Sequence, residues 1–271
     1  MTKSKEPLEA SMNDITSHDI NILKTDHGSE IAWTGQVVEG TPTIVFFAGH
    51  GSDMNGTKAI AVDEWAQENG YGIIRFDYFG HGKSSGEFLD GTISIWRNDC
   101  NAVLDHLTRG PIVIVGSSLG GWLMMLAARD RIDRIKGIIG IAAAPDFTED
   151  LIWNSLSPDQ QASMATDGQI ALPNPYADGD ILYRYTLITD GRKNFVLCDR
   201  QKTPFPVRLL HGMDDEEVPS HTSEILAKNL DGDDVQVVLV KGAGHRFSSP
   251  EQIDILTATL SEVTLKADLA S

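Results

Sequence analysis

The sequence predicts an α/β fold, in which a mainly parallel sheet of about eight strands is flanked by helices. Two observations lead to this prediction. From residue 41 onward, short runs rich in β-branched residues alternate with amphipathic stretches of helical length, the pattern of repeated strand and helix units. These runs are largely apolar, as is typical of parallel strands that are buried on both faces.

Eight runs are predicted to be strands. Six of them form the parallel core of the sheet, at residues 43–47, 72–78, 111–116, 135–142, 206–210 and 235–240. Two earlier runs form an antiparallel pair at its edge, at residues 19–24 and 30–38. Five helices are predicted, at residues 56–68, 93–108, 119–129, 220–230 and 250–265. This regular alternation favours a single domain over residues 1–271, a length that one α/β domain can reach.

The alternation is interrupted in the segment 145–203, where Pro, Gly and Asp are mixed with scattered aromatic residues. A segment of this length is uncommon as a plain loop, and we expect it to form a cap inserted into the domain. The alternative is a helical connection that packs on the core. Within the cap, Trp153, Tyr183 and Tyr185 are predicted to bind substrate, because their rings combine apolar surface with a polar group.

Acidic residues dominate the charge of the chain. Asp and Glu number 39 against 22 Lys and Arg, which gives a formal net charge of −17 at pH 7. This charge repels the phosphates of nucleic acids and the anionic surface of membranes, and the sequence has no apolar run of membrane-spanning length. Neither nucleic-acid binding nor membrane insertion is therefore expected, and the composition carries no signal for an oligomeric state.

The two cysteines, Cys100 and Cys198, lie neither in a C-x-x-C pair nor beside histidines at metal-ligand spacing. Neither a disulfide framework nor a metal site is therefore predicted, and no cofactor motif is present. The first 20 residues are polar and mixed in charge, without the apolar run of a signal peptide. Together these features predict a cytoplasmic protein.

The strongest local motif is Gly116-Ser117-Ser118-Leu119-Gly120, between the strand at 111–116 and the helix at 119–129. A G-x-S-x-G in this position is typical of a nucleophile elbow, a strained turn that exposes the serine hydroxyl. Ser118 is therefore the predicted nucleophile. Ser117 is a weaker candidate, because Leu119 stands where it would need a glycine.

A nucleophilic serine needs a histidine as general base and a carboxylate to orient that histidine. His245 follows the strand at 235–240 and is the predicted base. The turn after the strand at 206–210 offers Asp214, Asp215 and Glu216, among which the residues alone do not choose. Both turns lie at carboxyl ends of predicted strands, where ligands bind in open α/β sheets.

Two backbone amides are predicted to form an oxyanion hole, which stabilises the negative charge that develops on a carbonyl oxygen. One is the N–H of Leu119, directly after the nucleophile. The other lies in Ala48-Gly49-His50-Gly51, after the strand at 43–47. We assign it to His50, with Gly51 as the alternative.

A second glycine-rich stretch, Gly80-His81-Gly82-Lys83-Ser84, looks like the end of a phosphate-binding loop. That motif requires a further glycine at position 77, where Asp77 stands, so we predict a turn instead. Of the remaining histidines, one lies in a predicted helix, two precede the core sheet and three flank predicted turns: His106, then His18 and His27, then His81, His211 and His221. Structural hydrogen bonds account for them.

The order of oxyanion loop, serine elbow, acid turn and histidine loop resembles the α/β-hydrolase superfamily over residues 19–265. The acid turn of that family, H-G-x-x-D-x-x-V-P, places its aspartate on Asp215. Four longer stretches resemble the mitochondrial palmitoyl-protein thioesterase group, which is also credited with acyl-glucuronide esterase activity: MNGTKA at 54–59, RFDY at 75–78, GSSLGGWLM at 116–124 and RLLHGM at 208–213. The resemblance implies an α/β-hydrolase fold and a serine hydrolase.

The leading hypothesis is a serine esterase or thioesterase that forms an acyl-enzyme on Ser118. Its substrates would be esters or thioesters of small molecules or acylated proteins. One alternative is a cofactor-free hydrolase of carbon-carbon bonds. Another is a ligand-binding protein that keeps the fold without turnover, since a fold alone does not establish activity.

Overall fold

The structure, a computed structural model, describes residues 19–173 and 179–269 of the chain. These residues contain ten strands: β1 Asn21–Lys24, β2 Glu30–Gln36, β3 Thr43–Phe47, β4 Gly72–Phe76, β5 Ile112–Ser117, β6 Ile135–Ile141, β7 Gln169–Pro173, β8 Asp180–Arg184, β9 Val207–Gly212 and β10 Val235–Val240. They also contain seven α helices: α1 Thr57–Glu68, α2 Ile93–Leu107, α3 Leu119–Asp130, α4 Pro158–Asp167, α5 Tyr185–Gly191, α6 His221–Asn229 and α7 Pro250–Leu269.

Eight of the strands form one sheet, in the order β1-β2-β4-β3-β5-β6-β9-β10. The pairs β1 with β2 and β2 with β4 are antiparallel. The other five pairs are parallel. The predicted sheet, with an antiparallel pair at its edge, is therefore confirmed.

The central strands of the sheet are buried on both faces. Every residue of β3, β4, β5 and β9 is buried, which matches the largely apolar runs in the sequence. Helix α3 packs against β5 and is buried from Leu119 to Ala128. Burial of each large aliphatic side chain contributes about 1.5–3 kcal/mol, and the apolar surface holds the carboxyl ends of these strands in place.

Helices of the described ranges are all too short or too polar to cross a bilayer.

The segment 145–203 contains a second, two-stranded sheet and the helices α4 and α5. Strands β7 and β8 form an antiparallel hairpin, with Gln169 opposite Arg184, and the residues between them, 174–178, lie outside the described part of the chain. Helix α4 begins with a capping box made by Ser157 and Gln160 and is followed by a capping glycine, Gly168, which has a positive φ of 78°. Whether this segment acts as a cap stays a prediction.

Asp146 joins the beginning of this segment to its end. Its carboxylate accepts hydrogen bonds from the backbone N–H of Val196, at 3.0 Å, and of Leu197, at 3.0 Å. The side chain is buried. Burial, together with the negative charge of Asp150, raises the pKa of Asp146 to about 6 against the two hydrogen bonds.

Asp146 is expected to make the protein less stable as the pH rises from about 4 to about 6. In this window the folded state binds more protons than the unfolded state, whose aspartate has an ordinary pKa, so the free energy of unfolding falls. Asp146→Asn removes the titration, and the wild type should lose about 2 kcal/mol more than the variant across the window. Urea unfolding at pH 4, 5, 6 and 7 measures it. The exposed Asp133→Asn serves as a control, and parallel pH curves for the wild type and Asp146→Asn would contradict the assignment.

Candidate active site

Ser118 lies in a strained turn between the last residue of β5 and the first residue of α3. Its φ is 53° and its ψ is −115°, a conformation that costs a residue with a side chain about 1–3 kcal/mol. The surrounding backbone holds it there. Ser118 N–H donates to the carbonyl of Ile141 at 2.9 Å, and its carbonyl accepts from Ala144 N–H at 3.1 Å.

The two glycines of the motif are required by close backbone contacts. A Cβ at Gly120 would lie 2.1 Å from the carbonyl oxygen of Phe47, and a Cβ at Gly116 would lie 2.4 Å from the carbonyl oxygen of Gly120. Both distances are far below van der Waals contact, so a side chain at either position would push α3 away from β3 and β5. The G-x-S-x-G pattern therefore allows α3 to begin directly behind the serine.

His245 lies between Ser118 and Asp215. Its Nδ1 is 2.8 Å from Asp215 Oδ2, and its Nε2 is 3.1 Å from Ser118 Oγ. Because a carboxylate only accepts hydrogen bonds, Nδ1 carries the proton and Nε2 is free to accept from the serine hydroxyl. The structure thus brings together the three side chains predicted from the sequence.

Asp215 is buried and receives hydrogen bonds on both carboxylate oxygens. Its Oδ1 accepts from the backbone N–H of Glu217, at 3.0 Å, and of Val218, at 2.8 Å. Burial raises the pKa of Asp215, but the hydrogen bonds from His211, His245 and Val218 outweigh it and hold the pKa well below its ordinary value. Asp215 is therefore a carboxylate at neutral pH.

The other two candidate acids, Asp214 and Glu216, have exposed side chains. The backbone N–H of Asp214 donates to the carbonyl of Ala243 at 2.9 Å, which ties the acid turn to the histidine loop. Among the three candidates in the sequence, Asp215 is the acid that contacts His245.

His211 has a role that the sequence analysis described only as structural hydrogen bonding. Its Nε2 is 3.1 Å from Asp215 Oδ2 and 2.9 Å from the carbonyl of Val218, while its Nδ1 is 2.7 Å from Ser223 Oγ. Both partners of Nε2 only accept, so Nε2 carries the proton and Nδ1 accepts from the serine hydroxyl. His211 therefore gives Asp215 Oδ2 a second imidazole donor beside that of His245. The four-residue spacing of the two residues was the available signal.

Two charged side chains close to His245 were also missed by the sequence analysis. Glu217 Oε2 is 3.7 Å from His245 Nε2, and burial raises the pKa of Glu217. Lys58, from the first turn of α1, donates from Nζ to the carbonyl of Arg246. Burial, followed by the charge of Arg246, lowers the pKa of Lys58 to about 8. Lys58 lies in the MNGTKA stretch, one of the four that carried the family resemblance. That resemblance did not predict its contact with the histidine loop.

The loop after β3 lies directly beside the serine. A Cβ at Gly49 would lie 3.5 Å from Ser118 Cβ. The second donor of the oxyanion hole was assigned to His50 with Gly51 as the alternative. The amide of Gly51 already donates to His81 Nε2 at 3.1 Å. The amide of Leu119 is the first of α3, a position that has no acceptor within a helix.

The side chain of His50 lies in an aromatic cluster. Its ring centroid is 4.7 Å from that of Phe88 and 5.7 Å from that of Trp96. The ring of Tyr183 stacks on it at 6.0 Å, with 20° between the planes. Burial, followed by the charge of His81, lowers the pKa of His50 to about 3, so the imidazole is neutral at physiological pH.

The three aromatic residues predicted to bind substrate separate into two groups. Tyr183 contacts His50, whereas Trp153 and Tyr185 contact each other with ring centroids 5.6 Å apart. The guanidinium of Arg192 lies 4.7 Å from the centroid of the Trp153 ring. Tyr183 is thus connected to the loop beside Ser118, and the other two form a separate cluster of the 145–203 segment.

A family model described as the alpha/beta hydrolase family matches residues 44–253. The chain belongs to this family. The match includes all three residues of the Ser118, His245 and Asp215 arrangement, and it confirms the predicted fold, the family and the prediction of a hydrolase. The finer resemblance stated for the sequence is confirmed by curated relatives at about 37% identity.

Similar proteins were found among curated sequences and among solved structures. The chain is 38% identical over 223 residues to "Palmitoyl-protein thioesterase ABHD10, mitochondrial" of Rattus norvegicus, covering 82% of this chain and 75% of the relative. The human protein of the same name is 37% identical over 224 residues, with 82% and 73% covered. The structure resembles alpha/beta hydrolase domain-containing protein 10 from mouse, with a TM-score of 0.85, 35% identity, and 90% and 97% covered. A putative hydrolase from Agrobacterium vitis S4 gives a TM-score of 0.87 at 35% identity, with 92% and 99% covered.

The prediction of a cytoplasmic location is wrong, because the curated relatives are named as mitochondrial proteins. The prediction depended on the cysteine pattern and on the polar character of the first 20 residues. A low cysteine count excludes a disulfide framework, but it does not distinguish one reducing compartment from another.

Proposed function

We propose that the protein is a serine hydrolase that cleaves carboxylic esters or acyl-thioesters through an acyl-enzyme on Ser118. The observation that carries this proposal is the continuous hydrogen-bonded arrangement of Ser118, His245 and Asp215, at 3.1 Å and 2.8 Å. The strained backbone of Ser118 supports it, because such strain is common where a nucleophile must be exposed. The names of the relatives support acylated proteins as one class of substrate to test.

In this mechanism Ser118 Oγ attacks the carbonyl carbon, and His245 Nε2 takes its proton. Asp215 stabilises the imidazolium that forms and keeps Nδ1 as the donor. The same Nε2 proton then passes to the departing alcohol or thiol as the tetrahedral intermediate collapses. Water attacks the resulting acyl-enzyme with His245 again as base, which releases the acid and restores the serine.

The oxyanion hole is assigned to the backbone N–H groups of Leu119 and His50. The N–H of Leu119 opens α3, where the helix dipole also favours a negative charge. The alternative donor, Gly51, is engaged with His81 at 3.1 Å, which favours His50. A donor of this kind contributes about 10²–10³-fold to kcat.

A panel of p-nitrophenyl esters and acyl-thioesters of graded chain length tests the proposed function. We expect turnover of at least one substrate class and covalent labelling of Ser118 by a fluorophosphonate probe. A protein that neither turns over any substrate of the panel nor takes up the probe would be a ligand-binding member of the family. Turnover without probe labelling would mean that the acyl-enzyme mechanism is wrong.

The segment 145–203 is proposed to act as a cap that contributes to acyl binding, with Trp153, Tyr183 and Tyr185 as its contact residues. Tyr183 has the strongest support, because its ring stacks on His50 beside the loop that contacts Ser118. Trp153 and Tyr185 contact Arg192 and each other. They would meet a longer acyl chain further from the serine.

Tyr183→Ala is expected to change the ratio of kcat/KM between long and short acyl chains by about 5-fold or more, the size typical of altered apolar contacts. Trp153→Ala should also change this ratio more than it changes thermal stability. Tyr183→Phe keeps the ring and serves as the matched control. Steady-state kinetics on the ester panel and thermal unfolding give the two readouts. If either alanine variant lowers the melting temperature severely and leaves the ratio unchanged, that ring belongs to the core.

A further inference from the structure

We infer that His81 is a positioning residue for the oxyanion loop, and that it holds the turn carrying the His50 amide in place by accepting a hydrogen bond from Gly51. This inference rests on the proposed function, because it concerns the donor assigned to His50. His81 belongs to the Gly80-His81-Gly82-Lys83-Ser84 stretch, which has no other assigned role in the mechanism. It comes from the turn after β4, 30 residues from Gly51 in sequence.

The hydrogen bonds of His81 determine its tautomer. Its Nδ1 is 3.1 Å from the carbonyl of Phe79, and its Nε2 is 3.1 Å from the backbone nitrogen of Gly51. A carbonyl only accepts and an amide N–H only donates. The ring must therefore be neutral, with its proton on Nδ1 and the lone pair of Nε2 directed at Gly51.

The environment of His81 keeps the ring neutral and fixed. The side chain is buried, and burial lowers its pKa. Its ring centroid lies 5.0 Å from that of Phe88, 5.4 Å from that of Trp96 and 5.5 Å from that of Tyr78. These contacts prevent the ring from turning its Nε2 away from the loop.

The hydrogen bond from Gly51 controls a particular peptide of the loop. Ser52 N–H donates to the carbonyl of Gly49 at 3.1 Å, which closes a turn with His50 and Gly51 at its centre. Gly51 has a φ of +71°, the value expected at the third position of a type II turn. The Gly51 N–H takes no part in the turn's own hydrogen bond. Without an acceptor, the central peptide is free to flip toward a type I turn.

A flip of that peptide would turn the Gly51 N–H away from His81 and release the turn, which also carries the His50 N–H on its preceding peptide. His81 is the group that prevents the flip, because it gives the Gly51 N–H a fixed partner. Gly49 of the same loop lies beside Ser118, so a small shift of the released turn moves the donor away from a carbonyl bound at the serine. Loss of this positioning would therefore lower kcat, which depends on stabilising the oxyanion, and would leave the first binding of substrate largely unchanged.

Three variants test the inference on the ester that the wild type hydrolyses best. His81→Phe keeps a ring and removes the acceptor, and we expect kcat to fall about 10–100-fold while KM changes by less than about 3-fold. His81→Gln keeps an acceptor at a similar reach and should recover most of this loss. Lys83→Ala changes an exposed side chain of the same stretch without removing the hydrogen bond and should leave kcat within about 3-fold.

Equal kcat losses in the Phe and Gln variants, or a loss confined to KM, would overturn the inference and leave His81 as a packing residue. The wild-type protein supplies a readout that does not depend on folding of a variant. Nitrogen NMR shifts of the His81 ring should identify a neutral Nδ1–H tautomer with an unprotonated Nε2. A proton on Nε2 would exclude the hydrogen bond. Failure of the proposed function itself is separate, since it would appear as absent wild-type turnover.

Discussion

Ser118→Ala is expected to abolish acyl-enzyme formation and to lower kcat by about 10⁴-fold or more, while the protein stays folded. The substitution removes one hydroxyl oxygen, and the hydroxyl accounts for nearly all covalent catalysis in enzymes with this arrangement. The Cβ of alanine stands where that of serine stood, so the strain at φ 53° is unchanged. Intact-mass spectrometry after incubation with a fluorophosphonate probe measures the adduct.

Ser117→Ala is the matched control for this experiment. Ser117 is the neighbouring residue and the last of β5, and it was the weaker candidate in the sequence. This variant should gain the mass of the probe at the rate of the wild type. If Ser118→Ala still gains the adduct at that rate, or if Ser117→Ala loses it, the nucleophile has been assigned wrongly.

Asp215→Asn is expected to lower kcat by about 10³-fold or more. The carboxylate accepts from His245, His211 and two backbone amides. An asparagine has one oxygen and one NH₂ group, so at least one of these donors would face another donor. The NH₂ group favours the tautomer of His245 that carries its proton on Nε2, and that tautomer cannot accept the proton of Ser118.

Asp214→Asn is the control, because Asp214 is adjacent in sequence and its side chain is exposed. We expect its kcat to stay within about 3-fold of the wild type. Steady-state kinetics and thermal unfolding of both variants separate a loss of catalysis from a loss of folding. Equal losses in the two variants, or a larger loss in Asp214→Asn, would contradict the assignment of the acid.

The positions of the catalytic candidates could be predicted because each is linked to a strand by local sequence. Ser118 follows an apolar run and precedes a helix, with glycines two residues away on both sides. The glycines are spaced in this way because the backbone at each of them lies too close to a neighbouring strand or helix for a side chain to fit. Gly120, which lies against the carbonyl of Phe47, is an example. In parallel sheets the carboxyl ends of neighbouring strands meet at one edge. Residues that follow different strands, such as Ser118 and His245, were therefore expected to converge.

By itself, the sequence determined the α/β fold, the antiparallel edge of the sheet and the convergence of serine, acid and histidine loops. These features depend on periodicity and on glycine positions, which are local properties of a chain. The location of the protein is not such a property, and there the sequence-based prediction was wrong.

Only the tertiary structure decided which polar groups meet. It paired Gly51 with His81, and placed Tyr183 on His50 but Trp153 on Arg192. Each of these contacts joins residues that are distant in sequence. A hydrogen bond depends on distances of a few tenths of an ångström and on the tautomer of a ring. No periodicity in a sequence encodes either, because they arise when separate elements pack together.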